Sequence, residues 1–552
     1  MKFIADQDAY RYISAVREFA DNVLRHGRDT YGPKHTPLFV DGLNIDTLEP
    51  PVWKTEGEEW ILSNLASQQN LFRTLDGLTS LTGERKYREE AISAIRYAFD
   101  NLRSPNGLLY WGGHQAYDAG KDIPAAVYKD AQTHELKEHF PYYSLMWEAD
   151  PRATKRFIEA FWQAHITNWD NLDMNRHGSY GAKTDAGWPE NYVGGEVFFI
   201  ARHGGLSFGN TGSDLFYAAA MLHKFTGDGM PLLWAERLAG RYQETRNPNT
   251  GLGGYQYSRL DKIEHGIQDR AEAQFGDNEN LKGHLVLEGT ILNPANGRGR
   301  FGMFGIVQLK LGEMLGGAGS KFRRWALEDL RAYWTHAYNP ADNTFVALLT
   351  DGTKLSPKDV RKDGYYGKVG GESRNPHGLH DNRLNPQKAD SLFLWAYCLA
   401  SGISGDPFMW EAARVLGKGN GLGDIGETSE SRAALNLNTD SSDPLSLVAC
   451  LELYRQTCGE DFLRLAKTIG DNIMSQRFHK GFFAPSAKHL YARVDSIEAL
   501  ALLHLAAAIR GEPDVVPDMW PGQGYFSGRF DGIAPGRTTD DAAIYSRLRG
   551  NT

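Results

Sequence analysis

Residues 81–91 read LTGERKYREEA, and this punctuation decides the fold because it recurs along the chain. It closes a run in which Ile61, Leu65, Phe72, Leu75 and Leu78 fall on one face of a helix. Glycine accepts the left-handed conformation that ends a helix, and an acidic or serine residue just after it can cap the next one. The signal returns as FTGDGMPLLWAERLAG at 225–240, GISGDPFMWEAARVLG at 402–417 and QTCGEDFLRLAKTIG at 456–470. Looser forms are WEADPRATKRFIEAF at 147–161 and GGAGSKFRRWALEDL at 316–330. In Asp150-Pro151 and Asp406-Pro407 the proline takes the first helical position, where its missing N–H costs nothing.

The junctions fall near residues 83, 150, 227, 319, 405 and 459, and a further helix end sits at Gly511. Each of the six is flanked by two helical patterns of about 15–20 residues, and a first helix over about 6–26 and a last over about 494–510 bring the total to about fourteen. The spacing of about 50–90 residues is too irregular for a solenoid. An all-α-dominated fold is therefore expected, an (α/α) barrel or toroid of about seven helical hairpins, with an open helical array as the alternative. Residues 103–133, 172–210, 247–300 and 340–386 are rich in Gly, Asn, Asp, His and aromatics. They are too long for connectors and suit short β-hairpins and binding loops crowding one rim. No stretch reads as a linker, so residues 1–552 are expected to form one domain.

With 41% hydrophobic and 12% aromatic residues among 552, a large core is available. A net charge of −9 argues against a nucleic-acid binder, yet a local basic cleft could still hold an acidic sugar polymer. Cys398, Cys450 and Cys458 are too few for a disulfide framework and sit in apolar helical patterns, which reads as buried, inert thiols in a reducing compartment. The opening MKFIADQDAYRYIS lacks the apolar stretch of a secretory signal, and no run approaches the length of a membrane span. A soluble, cytoplasmic protein without membrane association is the expectation.

Three polar clusters carry candidate chemistry. LLYWGGHQAYDAG at 108–120 places His114 after a glycine pair, THELKEHFPYY at 133–143 holds His134, Glu135, Glu138 and His139, and WDNLDMNRHGSY at 169–180 sets Arg176 beside His177. The HELKEH stretch is a near miss to a helical zinc motif, because histidines five apart stand about 140° from each other around a helix. Each histidine alone suits a hydrogen-bonded loop position. Imidazoles and a carboxylate offered jointly by three separate segments suit a metal site.

His114, then Glu135, then adjacent Arg176-His177, on a chain of about seven helical hairpins, resembles polysaccharide lyase family 2, pectate lyases with an (α/α)7 barrel. The resemblance covers the whole chain in length and helix count, and the Arg-His adjacency is its most distinctive element. It implies that His114, Glu135 and His177 coordinate a divalent transition metal and that Arg176 is the catalytic base. Two imidazoles and a carboxylate suit Mn²⁺, Co²⁺ or Ni²⁺, with Zn²⁺ also possible, better than Ca²⁺, which prefers oxygen throughout. The implied chemistry is β-elimination at a uronic acid, on galacturonan or its oligomers. It needs a Lewis acid on the carboxylate, a base for the C5 proton and a path for the leaving oxygen, but no organic cofactor. Arginine is an unusual base: with an ordinary pKa of about 12.5–13.8, neutralising it near pH 8 costs roughly 6–8 kcal/mol. A neighbouring cation lowers that cost by like-charge repulsion. Should the rate peak below neutrality, His139 or Tyr180 is the next choice.

A polyuronate also needs cations and aromatic faces. NPANGRGRFGMFG at 293–305 offers Arg298 and Arg300 among glycines that allow close approach. Lys282 lies in NLKGHLVLEG at 280–289, Arg374 in GESRNPHGLHDNR at 371–383, and Tyr110, Trp111 and Trp188 are stacking candidates. The family leans towards exolytic release of disaccharides. Three alternatives stand beside this reading: a uronate lyase with a His/Tyr base and no metal, an inverting hydrolase recruiting Asp118, Glu135 or Asp173, and a non-enzymatic helical scaffold. The oligomeric state is open.

Overall fold

The structure, a computed structural model, describes residues 2–55, 57–126, 133–195, 197, 207–257, 281, 288–359, 381–522, 524–533 and 536–550. Its regular structure is dominated by helices, joined by β-ladders of two or three short strands. The helix-rich fold class read from the sequence is the one observed. Contacts gather the chain into two compact units, Met1–Ala160 with Ser179–Ala182 and Gly421–Thr552, and Phe161–Gly178 with Lys183–Asn420.

The helix junctions form for the reasons the sequence suggested. Gly83, Gly227, Gly405 and Gly511 each end a helix in the left-handed region, at φ 76°, 72°, 65° and 72°. The carboxylates of Asp228 and Asp406 then cap the following helices by accepting from the amides of Met230 and Phe408, both at 2.9 Å. Three junctions differ in detail. After Gly83 the next helix starts at Lys86 with no side-chain cap from Glu84. At 316–319 the left-handed residue is Gly316 (φ 57°), and after the Pro444–Thr457 helix it is Cys458 (φ 54°), while Gly459 opens the next helix. Cys458 is consequently exposed, unlike the buried Cys398 and Cys450.

The first unit is assembled from both ends of the chain. The Lys2–His26 helix packs on Ile497–Arg510, and the strand Gly42–Asn44 pairs antiparallel with Tyr491–Arg493. The Gln69–Thr82 helix has no side-chain cap of its own at Gln68. Asp495 supplies one from 425 residues away, accepting from the amides of Asn70 at 2.6 Å and Leu71 at 3.1 Å. Burial nevertheless pushes this carboxyl up to about 6, against the pull of those amides. Beside it, Arg493 forms a two-point ion pair with Asp541 at 2.8 and 3.0 Å.

In the second unit the helices pack as neighbours in sequence: Gly209–Thr226 with Gly229–Glu244, Phe304–Met314 with Ser320–Ala337, and Ser391–Ser404 with Pro407–Gly419. The π-helical turn Arg298–Met303 leads into one of these pairs. It is fastened by the fully buried Arg300, which pairs with Asp329 at 2.8 Å and donates to the Gly254 carbonyl at 3.1 Å. Phe301 stacks on Tyr333 at 4.4 Å.

The Asp495 cap gives a direct stability test. Asp495→Ala leaves two first-turn amides without their acceptor and is expected to cost about 2–4 kcal/mol, read by denaturant unfolding. A change below about 0.5 kcal/mol would show that the cap contributes nothing.

Candidate active site

Glycines 112 and 113 bring two of the polar clusters together. The Gly113 amide donates to the Glu135 carbonyl at 2.7 Å, and Gly112 and Glu135 form a parallel bridge. Gly112 has φ 119°, and a Cβ there would stand 2.1 Å from the Glu135 carbonyl oxygen. A Cβ on Gly113 would stand 2.4 Å from Glu135 Oε2. At 112 the clash is with backbone and only glycine fits, whereas at 113 it would displace the carboxylate itself. Asn64 clamps the same turn, accepting from the Gly112 amide at 3.1 Å and donating to its carbonyl at 2.8 Å.

The 133–142 stretch forms no helix. Thr133–His134 is a short strand, and Glu138 (φ 61°) and Phe140 (φ 44°) take left-handed conformations that break helical continuation. His134 and Glu135 therefore point their chemistry differently: His134 Nε2 accepts from the Trp111 indole at 3.1 Å, while Glu135 Oε2 stands 2.9 Å from His114 Nε2.

His177 lies in a turn built by its neighbours. Its amide donates to Asn175 Oδ1 at 2.9 Å, and Asn175 in turn bonds His165 through both main-chain groups, N to O at 2.9 Å and O to Nδ1 at 2.8 Å. Gly178 lies against the His165 ring, so close that a Cβ would stand 2.6 Å from it. Two residues on, Ser179 and Ala182 accept from the Asn106 amide group at 3.1 and 3.2 Å. His114, Glu135 and His177 each offer a ligand atom, and these atoms all lie within 4.8 Å of one another. Arg176, next in the chain, lays its guanidinium over the Phe208 ring at 5.1 Å from the centroid.

The donor set fits a cation. His114 Nδ1 lies 2.6 Å from the Ser527 carbonyl. A carbonyl only accepts, so Nδ1 carries a proton, and Nε2 faces the carboxylate of Glu135, itself 1% exposed. Two electron-rich atoms at 2.9 Å need a proton or a metal between them. The carbonyl behind the ring is the outer partner that metal-ligating histidines habitually use.

The remaining candidates divide. Tyr110 and Trp188 are half-buried and keep part of their ring surface, and Arg298 is half-exposed while pairing with Asp390 at 2.7 Å. Two expectations are corrected: Arg300 is wholly buried on Asp329, and Trp111 is 3% exposed with its indole N–H spent on His134, so neither presents a surface to a sugar. Lys282 and Arg374 lie outside the described residues. Asp118, a candidate acid, is buried and accepts from the Ile61 and Gly120 amides at 3.1 and 3.0 Å. Ser527, Asn64 and the role of His134 were missed in the sequence. The glycine pair before His114 was the one visible trace of them.

The rival bases are also placed. The Tyr180 hydroxyl donates to the Leu109 carbonyl at 2.9 Å, and burial pushes its phenol well above the usual range. Burial pushes the His139 imidazole down to about 4, only partly offset by Glu135.

Among solved structures, a D-mannose isomerase is similar over 81% of this chain and 97% of its own, at 13% identity and a TM-score of 0.44. A cellobiose 2-epimerase from Bacillus thermoamylovorans B4167 is similar over 90% of this chain and 100% of its own, at 7% identity and a TM-score of 0.41. A curated pectate disaccharide-lyase from Dickeya dadantii (strain 3937) is 28% identical over 550 residues, covering 94% of this chain and 93% of its own. The family described as periplasmic pectate lyase matches residues 36–529. That description overturns the cytoplasmic expectation, since the polarity of the opening residues does not report the compartment of a family. Among the described residues no helix is long and apolar enough to cross a membrane. With its profile matched over most of its length, the chain belongs to the periplasmic pectate lyase family.

Proposed function

We propose that this pectate lyase is metal-dependent and cleaves α-1,4-linked galacturonan by β-elimination, with His114, Glu135 and His177 as ligands and Arg176 as base. The observation that carries the reading is the convergence of two imidazoles and a buried carboxylate within 4.8 Å, with Nε2 of one ring 2.9 Å from the carboxylate and its Nδ1 held by a carbonyl. A divalent transition ion held there supplies Lewis acidity to the substrate's C6 carboxylate, which would otherwise gather two negative charges as C5 loses its proton.

The chain's own residues do the rest. Ser527 and Glu135 hold the His114 ring in one tautomer and one orientation. Arg176 takes the C5 proton, the C5 electron pair forms the C4–C5 double bond, and the C4–O bond breaks with its electrons leaving on the glycosidic oxygen. One saccharide end becomes unsaturated, and the departing oxygen is protonated by solvent. Tyr110 and Trp188 offer ring surface to pyranose faces, and Arg298, with Lys282 and Arg374 outside the described residues, offers charge to non-reacting carboxylates. Exolytic release of disaccharides fits the relative's name.

The order of bases is argued from burial. Tyr180 already spends its proton on Leu109 and holds it more tightly than a free phenol. His139 would be fully deprotonated above its depressed value of about 4, so a rate governed by it would be flat across the neutral range. Arginine as base predicts the opposite sign: kcat/KM on polygalacturonate keeps climbing past about pH 8. A plateau reached by about pH 5 would remove Arg176 from the role.

Two further outcomes are expected. Chelation with EDTA abolishes formation of the ultraviolet-absorbing unsaturated product, and Mn²⁺, Co²⁺ or Ni²⁺ restores it; undiminished turnover after chelation would sink the metal requirement. Glu135→Gln is expected to lower kcat/KM roughly 10²–10³-fold with loss of metal uptake. Arg176→Lys is expected to lower kcat about 10²–10⁴-fold while calorimetric metal binding is retained.

A further inference from the structure

Each of the three segments bearing the ligands carries, within three residues, one member of a buried aromatic trio. Trp111 stands three residues before His114, His134 one before Glu135, and Tyr180 three after His177. They are 3%, 0% and 7% exposed. Trp111 donates its indole N–H to His134 Nε2 at 3.1 Å. His134 meets Tyr180 edge to face, centroids 5.9 Å apart and planes at 87°. Tyr180 closes the ring of contacts by donating to the Leu109 carbonyl at 2.9 Å, and lies 3.4 Å from the Trp111 carbonyl. Phe157 backs the group, edge-on to Trp111 at 5.1 Å and to His134 at 6.0 Å.

We propose that His134 is a positioning residue for the metal ligands: it is the polar hub through which the segments carrying His114, Glu135 and His177 keep one mutual spacing. The inference rests on the metal reading above and extends it to a residue outside the ligand set. The chemistry explains why the hub is a histidine. Its ring supplies the flat faces and edges that Tyr180 and Phe157 pack against, as phenylalanine would. It also supplies an acceptor for the Trp111 indole, which phenylalanine would not, leaving a buried donor unsatisfied at a cost of about 1–3 kcal/mol. To recover that bond the indole must turn, and only Gly112 and Gly113, whose main chain is fastened to Glu135, lie between it and His114, so the movement bears directly on the contact that sets the ligand spacing. Outer groups of this kind typically alter metal affinity about 10–100-fold.

The test compares wild type, His134→Phe and His134→Gln as full chains, titrated with Mn²⁺ by calorimetry and with Co²⁺ by visible spectroscopy. Gln carries its amide oxygen near the place of the imidazole Nε2 and restores the acceptor. The expected result is a Kd for Mn²⁺ weakened about 10–100-fold in His134→Phe, with an altered Co²⁺ spectrum and kcat reduced more than KM, and a Kd within about threefold of wild type in His134→Gln. Trp111→Phe removes the same bond from its other side and should match His134→Phe; it decides the matter if His134→Phe fails to fold. Wild-type affinity in whichever of these two variants is folded overturns the inference alone. A wild type that takes up neither ion overturns the metal reading and the inference with it.

Discussion

The amide of Gly113 meets the carbonyl of Glu135 at 2.7 Å, and the site takes its spacing from that contact. Two backbones this close leave no room for a Cβ on Gly112, and one on Gly113 would press on the Glu135 carboxylate. The approach brings the Glu135 carboxylate against the His114 ring, and Ser527 fixes that ring from behind. Without side chains at 112 and 113 the three are neighbours; with them, the loop must open and the carboxylate must move. The chemistry of the site thus depends on a steric absence more than on any attractive group.

What the close approach creates is electrostatically unfavourable by itself. A carboxylate 1% exposed, set against an imidazole, is a combination that a fold optimised only for stability would avoid. The contrast with Arg300 is instructive, because there a buried cation and the buried Asp329 neutralise each other at 2.8 Å and the pair only holds helices together. At His114 and Glu135 the two groups instead face each other at 2.9 Å beside His177, the arrangement on which the proposed ion site rests. Stored polarity of this kind is characteristic of sites that bind ions.

The helical framework was legible in the sequence because its signals are local. A left-handed glycine ends a helix within four residues, as Gly83, Gly227, Gly405 and Gly511 do, and an aspartate caps the next helix after Gly227 and Gly405. At 456–460 the same logic slipped by one residue, since Cys458 adopts the strained conformation and leaves Gly459 to start the next helix. That His114, Glu135 and His177 come together was legible through resemblance, not through spacing. Arg300 and Trp111 were misread because burial depends on tertiary partners, Asp329 and His134, that composition does not reveal. Ser527 could not have been found at all: 413 residues separate it from His114, and its contribution is a carbonyl that every residue possesses.

The carboxylate of Asp495 closes the first turn of a helix that begins at residue 69. A ribosome or translocon delivers the chain in order, so that turn emerges and waits, its amides bonded to water, until the far end of the polypeptide arrives. His114 waits longer still, for Ser527. Closing loops of this length is slow compared with forming any single helical hairpin. The contact that fixes the His114 ring is therefore among the last the nascent molecule makes, and a chain interrupted before residue 527 carries nearly every helix of the described residues without it.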